Sequence, residues 1–404
     1  MNSISKLCLL AGAGLLFGQP LMAQSVTDEV IEEKIETEEA NIKITKVVDG
    51  LENAWGIDWL PDGRMLITER PGRFHIIDGE NIHRFRNLPE IDLFEDDKTP
   101  DEGGNQGGLL DVAVHPDYQN NGWIYFTYSS PGDDDSNFSG DEDYATGTAL
   151  ARAKLTDDGT DISEYEVLYV QSPRTEPGRH YGSRIIFPGD GTVLFSIGDR
   201  GIRYPSQDLT DPAGSIIRLK EDGGPAEDNP FVNKEPGNLR PEIFSFGHRN
   251  NQGMVIHPTT GEIWASDHGP NGGDLLYKVE KGKNYGWPQV SYGTEYDTDE
   301  KIGIGREAPG VEKPAHIWED NMAPSGLTFY TGEFQGWNGH LFSGSLKQKA
   351  IYRLVIENGE VTHDEKMLED KIGRIRAVKQ GPDGNLYVIT DEEDSGVYKL
   401  EIIE

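Results

Sequence analysis

The chain has 404 residues, with 37 Lys and Arg against 71 Asp and Glu and a net charge of −34. So large an acid excess excludes nucleic acid as a partner, because phosphate backbones are held by Lys and Arg that displace counterions. A hydrophobic content of 35%, with 9% aromatic residues, still suffices for a packed core in a chain of this length and excludes global disorder.

Residues 1–23 read as a secretory signal. Met1 and Lys6 give a positive start, residues 7–18 an uncharged apolar run, and Leu21-Met22-Ala23 an ending on a small residue. The run is too short to span a bilayer, so the expectation is export to the periplasm or beyond, without stable membrane insertion. Cys8, the only cysteine, lies inside this segment. The mature chain is therefore expected to have no disulfide, thiolate metal site or cysteine nucleophile. Residues 24–41 are polar and acidic, with Asp28, Glu29, Glu32, Glu33 and Glu36 among them, and read as a flexible solvated linker.

Residues 42–404 read as one all-β domain of short β-branched and aromatic runs broken by Gly, Pro, Asp and Asn. One unit recurs six times, a tight turn followed directly by an apolar strand. The turns are Pro61-Asp62-Gly63, Asn121-Gly122, Asp190-Gly191, Thr260-Gly261, Asn338-Gly339 and Asp383-Gly384. Short sheets repeated at intervals of tens of residues predict a radial repeat, a six-bladed β-propeller. The last unit has room for few strands before the chain ends, so residues 42–48 are expected to join that blade and close the ring.

Several loops carry residues suited to chemistry. His180 precedes an apolar strand and Asp199 follows it, and a carboxylate near an imidazole can fix its tautomer and stabilise its protonated form. Arg249 and Asn250 share one short loop, and Lys347 follows a strand. Arg374 and Arg376, two residues apart in an extended-looking stretch, are expected on one face as a clamp for carboxylate or phosphate. The acidic, Gly-rich stretch 267–274 offers oxygen ligands of the kind Ca²⁺ prefers.

In this order the chain also carries AWGIDWLPDGRMLITERPGR, NQGGLLDVAVHPDY, HYGSRIIFPGDGTVLFSIGDRG, DNPF, GHRNNQG, HGPNGGD, NYGWP, MAPSGL, GSLK and RIRAVKQGPDGNLYVITDE. From about Leu51 to the C-terminus it resembles the soluble pyrroloquinoline quinone (PQQ)-dependent sugar dehydrogenases. The resemblance implies a six-bladed propeller oxidising aldoses at the anomeric carbon to lactones, with PQQ held on Ca²⁺ and later reoxidised by an electron acceptor. It implies His180 as general base oriented by Asp199, and Gln106 positioning sugar and cofactor. Arg249 and Asn250 would lie at the quinone oxygens, with Lys347, Arg374 and Arg376 at the cofactor's carboxylates. The carbonyls of Gly269 and Pro270 would bind the metal, and Trp318 would wall the sugar site. Residues 132–148 and 292–310 are expected to shape the entrance.

Two positions depart from the family pattern. Leu275 stands where a Glu serves an additional calcium site in some members, and Asn321-Met322 stands where a small hydroxyl residue is usual. Two other readings are a Ca²⁺-dependent lactonase and a non-catalytic extracellular binding propeller. The first has no use for Lys347, Arg374 and Arg376, and the second no need to keep His180 and Asp199 beside them.

Overall fold

The computed structural model of the protein describes residues 24–93, 106–132, 145–175 and 178–403. The expected export signal lies outside them. The described chain folds into six antiparallel sheets arranged as a six-bladed β-propeller, five sheets with four strands and one with five. The first strands of the blades are Ala54–Trp59, Leu109–Val114, Ile185–Ile186, Asn251–Ile256, Pro324–Phe329 and Ile375–Gln380. Each packs against the first strand of the next blade around the ring, so these six strands surround the axis.

All six turns singled out in the sequence occupy the same place, between the first and second strands of successive blades. Their glycines have φ between +71° and +93°, the left-handed region that costs other residues steric strain. At Gly63, Gly191, Gly261, Gly339 and Gly384 a Cβ would meet nothing within 4 Å. The turn itself, and not crowding, calls for glycine there.

There is no single core. Six clusters of buried apolar side chains lie one in each interface between adjacent blades. Phe74 and Leu66 meet Phe126 and Ala151 between the first and second blades, for example. Burial of the apolar faces of neighbouring sheets at about 25 cal/mol per Å² therefore holds the ring together.

The ring closes as expected. Asn41–Leu51 pairs with the C-terminal strand Ser395–Ile403, placing Ile42 and Ile44 in the cluster between the fifth and sixth blades and Val48 and Leu51 in the one between the sixth and first. The expected linker at 24–41 needs correction, because Ser25–Glu36 is a strand paired antiparallel with Asn41–Leu51, giving this sheet its fifth member. Ile31 and Ile35 pack against the core, while most of the strand's acids face solvent and Glu32 meets Lys371 at 2.9 Å. The acidic composition is the charged face of an edge strand, a common guard against edge-to-edge pairing.

In five blades the register between first and second strands slips near the start of the first strand. The slipped residues include Trp55, Gln252 and Arg376. Bulges of this kind re-aim side chains, and all three reach the same cavity.

Candidate active site

At the end of the propeller where the innermost strands begin lies a cavity of about 370 Å³, within the size range of small-molecule sites. His180, Gln106, Arg249, Asn250, Arg374 and Arg376, all singled out in the sequence, line it. His180 precedes the first strand of the third blade, and Asp199 follows that blade's second strand, Thr192–Ile197. The two side chains meet at 2.6 Å between His180 Nδ1 and Asp199 Oδ1. Asp199 is fully buried behind the ring and also accepts the N–H of Gly201 at 2.7 Å. His180 has φ +55°, and its backbone N–H donates to Gln106 Oε1 at 2.9 Å.

Burial, followed by the Arg249 guanidinium, lowers the His180 pKa to about 4, although Asp199 pulls the other way. Asp199 stays below the usual carboxylate range because, against burial, His180 and Arg249 favour its ionised form. The ring is therefore neutral at neutral pH and donates Nδ1–H to an ionised Asp199. That leaves Nε2 with a lone pair, able to accept a proton.

The facing wall is cationic. Arg70, Arg249, Arg374 and Arg376 line the cavity against one carboxylate, Asp391. Asp391 meets Arg376 and Arg70 and accepts from Asn53 Nδ2 at 3.0 Å. Burial opposes ionisation of Asp391, but Arg376 and Arg70 hold its pKa far below normal. Arg376 also donates to Gln252 Oε1, yet its buried Nε has no partner among the described residues. Burial lowers the pKa of Arg70, and repulsion from Arg376 and Arg374 adds to this beyond the help of Asp391. Among the described lining residues guanidiniums outnumber carboxylates, a wall suited to an anion.

The loop 267–274 borders this wall, but its carboxylates are committed to backbone. Asp267 accepts the N–H groups of Arg249 and Asn250 at 2.9 and 2.5 Å, and burial raises its pKa to about 7. Asp274 accepts from Gly269, Met322 and Ala323 at 2.7, 2.8 and 2.8 Å. Gly269 and Pro270 are buried next to His268, which lines the cavity and donates Nε2–H to the Pro324 carbonyl at 2.6 Å. Among the described residues no three His, Cys, Asp or Glu are grouped to hold an ion.

Two expected site residues lie elsewhere. Trp318 belongs to the outermost strand of the fourth blade, far in the sheet from the axis, and packs in the core with Trp264, Leu276 and Tyr352. Lys347 is exposed and is not among the lining residues, although its neighbour Leu346 is. Of the expected entrance loops, 292–310 supplies Tyr296, whose hydroxyl is 3.5 Å from Arg249 Nη2, whereas residues 133–144 fall outside the described chain. Sequence reasoning assigned no role to Trp55, Arg70, Gln252, His268, Tyr296 or Asp391, which also line the cavity. Arg70 and Asp391 each follow an apolar strand at a polar turn, and each lies in a stretch, 54–73 and 374–392, that carries the family resemblance, which is the signal that could have found them.

A family model described as glucose/sorbosone dehydrogenase matches residues 51–399. The chain belongs to this family. It is 36% identical to the aldose sugar dehydrogenase YliI of Escherichia coli, over 89% of this chain and 93% of that protein. It is 26% identical to quinoprotein glucose dehydrogenase B of Acinetobacter calcoaceticus, over 85% and 84% of the two chains. The apo crystal structure of the soluble aldose sugar dehydrogenase from Escherichia coli superposes with a TM-score of 0.82 at 34% identity, covering 90% of this chain and all of that one. Both of these named relatives are sugar dehydrogenases, which are oxidoreductases. Among the described residues, no helix is long and apolar enough to cross a membrane.

Proposed function

We propose that this member of the family oxidises aldose sugars at C1 to lactones, using PQQ bound in the cavity together with Ca²⁺. The observation that carries this reading is a neutral His180 facing an excess of guanidinium charge inside one cavity. PQQ is a flat quinone bearing carboxylates, and the donor set fits it. Arg70, Arg374 and Arg376 offer charge-assisted bonds, including the unpartnered Nε of Arg376, and Arg249 and Asn250 would hold the quinone edge. When bound, PQQ supplies the two-electron acceptor for hydride leaving C1.

His180 Nε2 takes the proton of the anomeric hydroxyl, and Asp199 stabilises the imidazolium that results. Gln106, tied to the His180 backbone, orients the sugar hydroxyls beside it. Arg249 supplies positive charge where negative charge develops, from a buried position needing little reorganisation. For Ca²⁺ the protein offers the Gly269 and Pro270 carbonyls, whereas the ion takes six to eight oxygens. Since Asp267 and Asp274 are committed to backbone, water and cofactor oxygens would complete the shell. Ion and cofactor should therefore bind as a pair.

Titrating the apo-protein with PQQ, with and without Ca²⁺, and then adding aldoses tests the reading. Stoichiometric, Ca²⁺-dependent uptake followed by sugar-dependent transfer of electrons to a dye is expected. Failure to take up PQQ would overturn it. Export is a separate expectation, checked by N-terminal sequencing of the periplasmic or secreted protein, which should begin at Gln24.

A further inference from the structure

The stretch 284–288, Asn-Tyr-Gly-Trp-Pro, has no part in the proton transfer described above, yet it touches the loops that carry it. Trp287, 5% exposed, donates its indole N–H to Asp199 Oδ2 at 2.7 Å, while Oδ1 holds His180. The Trp287 backbone is itself anchored, its N–H donating to the Gly247 carbonyl at 2.9 Å and its carbonyl accepting from Gln207 Nε2 at 2.8 Å. Asn284 and Gln207 exchange amide hydrogen bonds at 2.8 and 2.9 Å. The Tyr285 ring stacks on His248 with centroids 4.6 Å apart. A Cβ on Gly247 would stand 2.2 Å from Asn284 Oδ1, so this approach requires glycine. The guanidiniums of Arg249 and Arg203 lie 5.5 and 5.8 Å from the Trp287 ring, within cation–π range.

We propose that Trp287 is a positioning residue for the general base: its indole N–H sets the Asp199 carboxylate and, through it, the tautomer and aim of His180. Segment 284–288 keys the loop after Asp199 to the loop carrying Arg249. The inference rests on the reading of His180 as base. Among the described residues Asp199 has three donors, from His180, Gly201 and Trp287. Removing one leaves a more basic carboxylate that binds the remaining Nδ1–H more strongly and makes the imidazole easier to protonate. The titratable groups acting on His180 are Asp199, Arg249, Arg179 and His268, and those acting on Asp199 are His180, Arg249, Arg203 and Asp267.

The test uses Trp287→Phe, Asp199→Asn and the double variant of the full chain, with melting curves to confirm folding. In apo-protein, NMR titration of the His180 ring, assigned by its loss in His180→Ala, should move upward by about half a unit or more in Trp287→Phe. In PQQ-loaded enzyme kcat should fall about ten- to a hundredfold, with the sugar KM within about threefold. In the Asp199→Asn background the Trp287 change should cost little more, because both act through one carboxylate. Gln207→Leu, which unties the Trp287 carbonyl and leaves the ring in place, should shift the His180 titration the same way by less and serves if Trp287→Phe does not fold. An unmoved His180 titration, or a full additional loss on top of Asp199→Asn, would overturn the proposal. Wild-type sugar oxidation tests the base reading separately, and the apo titration does not depend on turnover.

Discussion

At His180 the backbone adopts a left-handed conformation, φ +55°, that side-chain-bearing residues seldom take. Such strain persists only where surrounding contacts over-determine it, and here they are the bonds to Gln106 and Asp199. His180→Ala is expected to lower kcat about 10²- to 10⁴-fold, the usual worth of a general base, while PQQ titrates almost as before. With the His180 pKa near 4, the ring stays a base on acidification to about pH 5 in the apo-protein. The sign for stability follows from the same depression. Protons favour the unfolded chain between the ordinary value of 6.5 and about 4, so this residue's contribution is complete above 6.5 and lost as pH falls toward 4. A carboxylate-bearing cofactor should raise the titration, which NMR on apo- and PQQ-loaded protein would register. On the opposite wall, Arg374→Ala with Arg376→Ala removes two of four guanidiniums. The expected result is PQQ binding weaker by on the order of a hundredfold or more, since a charge-assisted bond contributes roughly 1.5–3 kcal/mol. Unchanged titration would exclude the clamp.

Among the strands, the slips in register do the aiming. Trp55, Gln252 and Arg376 sit at slips in three innermost strands, where ordinary alternation would not alone decide which way they point. This explains what sequence could and could not show. The six turns were legible because left-handed φ imposes a narrow choice of residues. His180 and Asp199 were legible as a pair because only one short hairpin, Ile185–Ile186 with Thr192–Ile197 and not the single strand expected, separates their loops. Asp391 pairs with Arg70 across more than 300 residues, and nothing local announces such a contact. Trp318 lies away from the cavity because it is in the fourth strand of its blade, a place that the three-residue run His316-Ile317-Trp318 does not reveal. The acids of 24–41 suggested a solvated spacer because residues facing water on an edge strand share that composition. Removal of residues 24–36 should lower the melting temperature while keeping the ring, since that strand is outermost. Removal through Leu51 should abolish folding, because it withdraws Ile42, Ile44, Val48 and Leu51 from two interfaces. Singly, Ile44→Ala should cost about 2–5 kcal/mol, measurable by denaturant unfolding.

For the whole molecule, a net charge of −34 surrounds a cavity whose wall is positive. An anionic ligand is repelled at a distance and attracted on contact. Screening reaches the long-range repulsion first, because the Debye length is about 10 Å at 0.1 M salt. The rate of PQQ association should therefore rise from low to moderate salt, as stopped-flow fluorescence would show, and a rate falling steadily with salt would contradict this balance.

The joint of the ring carries a further meaning. The strand that closes it comes from the beginning of the chain and its partner from the end. Trp55 and Arg70 lie in the first blade, while Arg374, Arg376 and Asp391 lie in the last. The anion cradle thus straddles the joint between the sixth and first blades. The cradle is therefore complete only when residues 54–70 and 374–391 have both joined the ring. An anion bridging Arg70 and Arg376 would tie the first blade to the sixth, reinforcing the ring across an interface built from segments far apart in sequence.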